Sequence, residues 1–336
     1  MKYLIGRDNL AATIYVPYDC GNNCPFCTSK EMYRNLVPNL DLLWANIRLI
    51  NKTRGIKDVV LTGGEPFANL EILQKIIDKI AIDKKLFINT TLPFKSEEKR
   101  QEIKDFLNKN RNKITCLNIS RHITHRTHND TNDRFINALR VPFRINCVLY
   151  NMDEMTKEKT IEFIKRFPSA QGINFRADYR NITLANLKTL DHPFITFAVN
   201  ELNAKYVSGG GCQVCNTDHF YVKLDERKYK FALHRGLEFS SLQVGNRVLV
   251  NDIILMPDSH MFHDWDKKRP QEEGKKMLDV LKDLGYEYRN NFVSRAERER
   301  RPSPGPINSC GYSLSGPCGG FNNSYRPVFR TCGGGC

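Results

Sequence analysis

Short apolar segments alternate with amphipathic segments from residue 10 to about residue 178, and this alternation constrains the fold more than any other feature. Six apolar segments have the length and composition of β-strands: residues 11–16, 58–61, 86–89, 115–119, 144–149 and 172–176. Between them, residues 40–51, 72–80, 96–109, 131–140 and 153–167 carry apolar side chains at helical spacing. Because parallel strands need crossover connections, usually helices, six such units predict a parallel sheet.

Polar residues stand at the ends of the predicted strands, where a parallel sheet gathers its ligands. Asn89 ends the third strand, Ser120 follows the fourth, Asn146 lies in the fifth, and Asn174 and Arg176 end the sixth. Apolar residues alternate with these polar ones, as they do in residues 117–120. Such alternation is expected when one face of the sheet meets helices and the other meets a polar cavity. We therefore predict that these polar side chains surround a ligand.

Three cysteines follow the first predicted strand with the spacing C-x3-C-x2-C, at Cys20, Cys24 and Cys27. Three thiolates in one loop can hold three irons of a cubane iron–sulfur cluster and leave the fourth iron open to a small-molecule ligand. The alternative is half of a zinc site, although structural zinc sites commonly take four ligands from two closely spaced pairs.

The segment LTGGEP at residues 61–66 follows the second predicted strand. With the three cysteines, it resembles the motifs of the radical S-adenosylmethionine enzymes. The resemblance implies that the cysteines bind a [4Fe–4S] cluster and that S-adenosylmethionine chelates the open iron. It also implies which residues contact S-adenosylmethionine: Phe26 packs beside the adenine, and Gly63, Gly64, Glu65 and Pro66 receive the methionine amino group.

Residues 118–121 resemble a fourth-strand segment of the same family in which a serine contacts S-adenosylmethionine. Ser120 matches that serine, but His122 stands where many relatives have aspartate. We therefore take Asn89, Ser120, Asn146 and Arg176 as the remaining cofactor-binding candidates. In the loop after Ser120, the histidines at 122, 125 and 128 and the arginines at 121 and 126 suit either a role near substrate, such as phosphate binding, or a plain connection.

The family resemblance predicts a partial (β/α)6 barrel with parallel strands over residues 1–180. An α+β extension is expected over residues 181–301, with a helix over 183–206, antiparallel strands at 219–223, 229–233 and 247–255, and a helix over 270–285. Residues 302–336 form a tail rich in cysteine and glycine, without apolar periodicity. This tail is either mobile or held by a metal.

Six cysteines outside the first motif are candidate ligands of a second metal centre: Cys212, Cys215, Cys310, Cys318, Cys332 and Cys336. The C-x2-C pair stands among glycines, which let the backbone approach a cluster closely. A second iron–sulfur cluster is the first interpretation and zinc is the next. Cys116 and Cys147 lie within predicted strands, so we expect them to be buried free thiols.

Charge and hydropathy restrict the partners. No apolar run approaches the length of a membrane span, and residues 1–9 lack a signal peptide's apolar core, so we expect a cytoplasmic protein without membrane contact. Disulfides are rare in the cytoplasm, so the eleven cysteines are read as metal ligands or buried thiols. The net charge of +14 favours an anionic partner: a nucleic acid, a nucleotide or an acidic peptide.

The favoured hypothesis is a radical S-adenosylmethionine enzyme that abstracts hydrogen from a ribosomally made peptide, with electrons from a reductase such as flavodoxin or ferredoxin. Modification of a nucleotide or nucleic acid is the alternative. A hypothesis of another class is a non-catalytic iron–sulfur or zinc protein. That hypothesis gives the GGEP segment no functional role.

Overall fold

The computed structural model describes residues 2–5, 10–16, 20–27, 36–94, 96–125, 133–178, 192–209, 217–234, 241–244, 247–250 and 252–262. The strands are β1 (Lys2–Ile5), β2 (Leu10–Val16), β3 (Ile56–Gly63), β4 (Lys85–Thr90), β5 (Ile114–Ser120), β6 (Phe143–Val148), β7 (Ile173–Arg176), β8 (Lys205–Gly209), β9 (Thr217–Leu224), β10 (Arg227–His234), β11 (Ser241–Val244), β12 (Arg247–Val250), β13 (Asp252–Leu255) and β14 (Met261–Phe262). The helices are α1 (Leu40–Lys52), α2 (Leu70–Lys79), α3 (Glu97–Lys109), α4 (Asp133–Asn137), α5 (Lys157–Lys165) and α6 (Pro193–Asn200), with 3-10 turns at Pro66–Ala68 and Met152–Glu154.

Strands β2 to β7 lie side by side in chain order, and each pairs parallel with the next. These are the six strands expected from the sequence, each within two residues of its predicted bounds. A helix follows each of β2 to β6, as the crossover argument requires. The predicted fold class, a parallel α/β sheet in the strand order of a (β/α) barrel, is confirmed.

Side-chain caps begin most of these helices at the expected places. Asn39, Asn69, Ser96 and Thr156 each accept a hydrogen bond from the backbone N–H three residues later. Such caps satisfy one of the backbone donors that every helix N-terminus leaves without an intrahelical partner. These caps fix the residue at which each of the four helices begins.

The two faces of the parallel sheet differ in chemistry. On one face, apolar residues such as Leu61, Ile88 and Ile119 are fully buried and share the main core with the helices. The alternate residues of the same strands are largely polar and form the opposite face, which we call the polar face: Thr62, Asn89, Asn118, Asn146 and Asn174. The sequence prediction of one helix-covered and one polar face is therefore confirmed.

The extension adds strands at both ends of the six. β10 pairs parallel with β7 and continues antiparallel into β9 and β8, while β13 pairs parallel with β2 and carries β14. Among the described residues, the large sheet therefore has eleven strands, and β1, β12 and β11 form a separate three-stranded sheet. The predicted antiparallel pair at 219–223 and 229–233 is confirmed as β9 and β10.

In the extension, one prediction is wrong and another is confirmed only in part. The single strand expected over 247–255 is divided between β12 and β13, which belong to different sheets. β13 is buried on both faces, with Ile253 and Leu255 in the main core and Ile254 against Tyr15, so its apolar run lacks the alternation that would have distinguished it. The helix expected over 183–206 is described only at Pro193–Asn200, and Asn203, at φ 52°, directs the chain into β8.

The predicted boundaries at residues 180 and 301 stay predictions, although strands from both sides of residue 180 share the large sheet. The helix predicted at 270–285 and the tail from residue 302 lie outside the described residues. In the described part of the chain, no helix combines the length and apolar character that crossing a membrane requires.

Candidate functional site

The cysteine loop lies at the carboxyl edge of the parallel strands, just beyond β2. Cys20 is exposed, Cys24 and Cys27 are partly exposed, and all three are free thiols. The Cys27 backbone N–H donates to the Cys24 carbonyl over 3.2 Å, which closes a tight turn between the last two cysteines. A side chain at Gly21 would meet nothing within 4 Å, so the loop is open on that side. Three free thiols therefore lie in one short segment at this edge.

The surroundings of Cys20 join the cysteine loop to the GGEP turn. Desolvation raises the pKa of the Cys20 thiol, and the negative charges of Glu65 and Cys27 raise it further. These influences place the three groups close together, and metal binding there must displace a proton. Among the described residues, no three His, Cys, Asp or Glu side chains converge on one point as ligands of a single ion. Cluster ligands need not converge in that way, because each thiolate of a cubane binds a different iron.

The GGEP turn begins where β3 ends. Gly63 has φ 129°, a backbone conformation that is open to glycine and strained for other residues. Pro66 then opens a 3-10 turn, a position where its missing N–H costs no hydrogen bond. Glu65 stands between them and is 1% exposed.

Four donors saturate the Glu65 carboxylate. Oε1 accepts from Thr90 Oγ1 over 2.5 Å and from the Phe67 N–H over 3.1 Å. Oε2 accepts from the Thr91 N–H and from Thr91 Oγ1, both over 2.7 Å. A carboxylate has about four lone-pair sites, so this set fills them. Burial raises the pKa of Glu65 and outweighs these hydrogen bonds, which act in the opposite direction.

Thr91 connects three loops of the site. Its Oγ1 accepts from Asn22 Nδ2 over 2.7 Å, so its own hydroxyl proton is directed to Glu65. Its carbonyl oxygen accepts from Arg121 Nη1 over 2.6 Å. The cysteine loop, the GGEP turn and the end of β5 are therefore linked through one residue that follows β4.

The Arg121 side chain is buried and bonded to backbone carbonyls. Its side chain is 2% exposed, and Nη1 also donates to the Ser120 carbonyl over 2.6 Å. Its backbone N–H donates to the Asn146 carbonyl over 2.9 Å. The guanidinium therefore holds the ends of β4 and β5 together from within the protein, which is unfavourable for the phosphate-binding role considered from the sequence.

Amide side chains form short ladders across the polar face. Asn118 Nδ2 donates to Asn89 Oδ1 over 2.8 Å, and Asn89 Nδ2 donates to Thr62 Oγ1 over 3.3 Å. Two strands further on, Asn174 Nδ2 donates to Asn146 Oδ1 over 3.0 Å. Asn118 Oδ1 is buried without a hydrogen-bond partner. Because an unpaired buried acceptor costs free energy, this face suits a ligand that supplies a hydrogen-bond donor.

Arg176 and Ser120 complete the predicted polar set. Arg176 ends β7, is 8% exposed and is aligned with His234 of β10. Ser120 ends β5, is partly exposed and is aligned with Asn146 of β6. The predicted residues of strands β4 to β7 therefore share the polar face with the ladders, but their contact with a cofactor stays a prediction.

Three aromatic rings gather around Phe26, the residue before the third cysteine. Its ring centroid lies 4.4 Å from His122, 5.5 Å from His125 and 5.5 Å from Tyr150. His122 Nδ1 accepts from the Val148 N–H over 3.0 Å, so a neutral ring carries its proton on Nε2. Burial, with the positive charges of neighbouring His125 and Arg121, lowers the pKa of His122 to about 3. His122 is therefore a neutral packing partner of the cysteine loop at neutral pH.

Cys116 and Cys147 are buried free thiols, as predicted. Burial raises the pKa of both, and that of Cys147 rises to about 12.

Arg126, His128 and the six candidate ligands of a second centre lie outside the described residues. Sequence reasoning missed Asn22, the linking role of Thr91 and the contact of Tyr150 with Phe26. Each depends on a partner far away in the chain, which no local pattern reveals.

The fold and this site define an iron–sulfur protein with its cluster loop at the carboxyl edge of a parallel sheet. Residues 10–118 match the family model described as "4Fe-4S single cluster domain". This segment contains the cysteine loop, the GGEP turn and Thr91. The prediction of a [4Fe–4S] cluster is therefore confirmed.

The cysteine spacing and the GGEP turn at the end of the next strand both lie within this cluster-domain match, in the order that the resemblance to the radical S-adenosylmethionine enzymes predicts. A comparison with curated proteins found no match.

Solved structures with a similar arrangement include Streptococcus suis SuiB bound to its precursor peptide SuiA, at 15% identity and a TM-score of 0.49, covering 84% of this chain and 67% of that one. SuiB bound to S-adenosylmethionine matches at 16% identity and a TM-score of 0.47, covering 85% of this chain and 69% of that one. The protein anSMEcpe with bound AdoMet matches at 15% identity and a TM-score of 0.40, covering 50% and 51%. The chain thus spans about two thirds of the length of SuiB, and similarity at this level does not identify its substrate.

Proposed function

We propose that this enzyme reductively cleaves S-adenosylmethionine at its [4Fe–4S] cluster and directs the resulting 5′-deoxyadenosyl radical to a C–H bond of a ribosomally made peptide. The observation that carries the proposal is the hydrogen-bonded chain from Asn22 through Thr91 to Glu65. It fixes the cysteine loop against the turn that ends β3, which are the two segments that a cluster-bound cofactor would have to contact together.

Different residues of the site would bind the cluster and the methionine amino group. Cys20, Cys24 and Cys27 would hold three irons. Because the Glu65 carboxylate is saturated by protein donors, the backbone carbonyls of the Gly63–Glu65 turn are the proposed acceptors of the methionine amino group, and Glu65 holds that turn in place.

The remaining candidates lie on the polar face and at its edge. Phe26, held among three other rings, is the proposed partner of the adenine. Asn89, Ser120, Asn146 and Arg176 are the proposed polar contacts, and the unpaired Asn118 Oδ1 nearby would accept a hydroxyl or amide donor. A site of this kind positions the reacting groups and excludes water from the radical.

The burial of Arg121 favours a peptide substrate over a nucleotide. Phosphate recognition relies on arginine and lysine groups that can reach the ligand, whereas Arg121 is buried and bonded to two carbonyls. Amide side chains line the polar face instead, and amides pair well with the amides of a peptide backbone. Nucleotide or nucleic-acid modification is the second candidate, supported by the net charge of +14.

A second metal centre is part of the proposal. Cys212 and Cys215, with two of the four cysteines of the tail, are its proposed ligands, and a cytoplasmic flavodoxin or ferredoxin is the proposed electron donor. The non-catalytic alternative, an iron–sulfur or zinc protein, would have no use for the GGEP turn.

The proposal is tested with anaerobically reconstituted, dithionite-reduced protein given S-adenosylmethionine. We expect 5′-deoxyadenosine and methionine, measured by mass spectrometry, and loss of both products when Cys20, Cys24 and Cys27 are replaced together by alanine. Protein that carries a [4Fe–4S] spectrum but releases no 5′-deoxyadenosine would support the non-catalytic alternative. Full cleavage by the triple variant would refute the cluster assignment.

A further inference from the structure

Asn22 lies inside the cysteine loop, between the first and second cysteines of the C-x3-C-x2-C motif. Its side-chain amide donates to Thr91 Oγ1 over 2.7 Å, and Thr91 Oγ1 donates in turn to the buried Glu65 carboxylate over 2.7 Å. The Asn22 Oδ1 atom is buried, and no donor among the described residues reaches it. The side chain is therefore oriented by the acceptors of its amide nitrogen.

The neighbouring hydroxyl fixes which end of the Asn22 amide faces Thr91. Thr91 has one hydroxyl proton, and the Glu65 carboxylate, which accepts from four donors, takes it. Thr91 Oγ1 can therefore only accept from Asn22, which requires the amide nitrogen to face it. An amide nitrogen carries two protons, so one proton remains for a second acceptor.

The second acceptor is the sulfur of Cys20. Burial is the largest influence on the pKa of Cys20 and raises it, whereas hydrogen bonds with the Asn22 backbone N–H and side chain lower it. Both hydrogen bonds favour the thiolate, which is the form that binds iron. Asn22 thus connects a cluster ligand on one side with Thr91 on the other.

Negative charge near Cys20 acts against these hydrogen bonds. Glu65 is 1% exposed, and its charge raises the pKa of Cys20, as does the charge of Cys27. Reduction adds one electron to a cluster and therefore adds negative charge to its irons and sulfurs. Hydrogen bonds to the sulfurs favour the reduced form, whereas a nearby negative charge disfavours it, and both change the reduction potential. The amide of Asn22 and the carboxylate of Glu65 are therefore opposing influences on one ligand.

We propose that Asn22 is a positioning residue that raises the reduction potential of the first cluster by donating a hydrogen bond from its side-chain amide to the Cys20 sulfur. Thr91 holds the amide in place, so the hydrogen bond is already formed when an electron arrives. The proposed reductase supplies that electron, dithionite supplies it in the test, and no proton is transferred. This inference rests on the cluster that the proposed function uses and adds how the protein makes that cluster easier to reduce.

The first test measures the reduction potential of reconstituted enzyme by a dithionite titration followed with electron paramagnetic resonance, without S-adenosylmethionine. The first-cluster signal is the one absent when Cys20, Cys24 and Cys27 are replaced by alanine. Asn22→Leu keeps the approximate size of the side chain and removes its amide. At one fixed solution potential, the ratio of reduced to oxidised cluster should fall about tenfold, which is a shift of about 59 mV for a one-electron couple.

The matched control is Asn23→Leu, the same change at the next residue of the loop, which is exposed. This control should keep the wild-type potential. Equal potentials in Asn22→Leu and wild type, or equal shifts in the two leucine variants, would overturn the inference.

The second test detects the hydrogen bond in the wild-type enzyme, so it stands even if Asn22→Leu assembles no cluster. Enzyme is prepared with ¹⁵N only in the side-chain amides of asparagine, and pulsed electron paramagnetic resonance is recorded on the reduced cluster. We expect a weak coupling between the cluster and a ¹⁵N nucleus, which Asn23→Leu should retain. A reduced first cluster without this coupling would overturn the inference.

Failure of the proposed function gives a different result. Protein whose potential depends on Asn22 but which releases no 5′-deoxyadenosine would refute the proposed cleavage and leave this inference standing. Protein that cleaves S-adenosylmethionine and has equal potentials in wild type and Asn22→Leu would remove only this inference.

Discussion

The side-chain amide of Asn22 donates to Thr91 Oγ1 over 2.7 Å, across 69 residues of chain. This hydrogen bond joins the cysteine loop to the end of β4. The same hydroxyl donates to the buried Glu65, so the geometry of the cluster loop depends on the turn that ends the neighbouring strand.

The first prediction concerns this hydroxyl. Thr91→Val keeps the shape of the side chain but removes a donor to Glu65 and an acceptor for Asn22. An unsatisfied buried polar group costs about 1–3 kcal/mol, so the free energy of unfolding should fall by that amount. S-adenosylmethionine cleavage should also fall, and more than in the Thr91→Ser control, which keeps the hydroxyl. Denaturation measures the change in stability, and a 5′-deoxyadenosine assay measures the change in cleavage. If the valine variant is as stable as wild type, the Thr91 hydroxyl does not contribute to the stability of the fold.

The second prediction concerns the strained end of β3. Gly63→Ala places a side chain at φ 129° and should cost about 1–3 kcal/mol of stability. It should also weaken S-adenosylmethionine binding by displacing the turn. Gly21→Ala is the control within the cysteine loop, because its added Cβ meets nothing within 4 Å. Calorimetric titration compares the two variants, and similar behaviour of both would contradict the role given to Gly63.

Thr91 and Gly63 show which features of the site could be predicted from the sequence and which could not. The motif residues and the six strands could be predicted, because cluster-ligand spacing and apolar periodicity are local properties of a sequence. The engagement of Glu65 by Thr90 and Thr91 could not, because it follows from which strands become neighbours. The division of the predicted strand 247–255 into β12 and β13 was missed for a related reason, since a strand buried on both faces, such as β13, has no alternation to detect.

The third prediction is a pH dependence of stability from His122. Its pKa is about 3 in the folded protein and about 6.5 when unfolded, so the unfolded state takes up a proton at a pH where the folded state does not. The free energy of unfolding should therefore fall as pH decreases from 6.5 toward 3, by up to about 1.4 kcal/mol per pH unit. His122→Asn keeps an acceptor for the Val148 N–H and does not titrate, so its stability should fall less steeply. Parallel pH profiles for the two proteins would refute this assignment.

The fourth prediction concerns the second metal centre. Replacing Cys212 and Cys215 together by alanine should lower the iron content of reconstituted protein while the first cluster remains. Electron paramagnetic resonance of the reduced protein should lose one signal and keep the signal that responds to S-adenosylmethionine. The Cys116→Ala variant is the control, because its thiol is buried and belongs to the core. Unchanged iron content in the double variant would refute a second iron centre at Cys212 and Cys215.

Strands added at both ends give the large sheet two separate margins, at β14 and β8, in the part of the chain that the structure describes. A closed barrel admits a polymer only end first, through its mouth. A sheet that stays open lets a chain be laid sideways across the reactive edge and lifted off again. For the proposed peptide substrate, residues in the middle of the chain would then be as reachable as its termini, and several positions would be presented in turn without complete release.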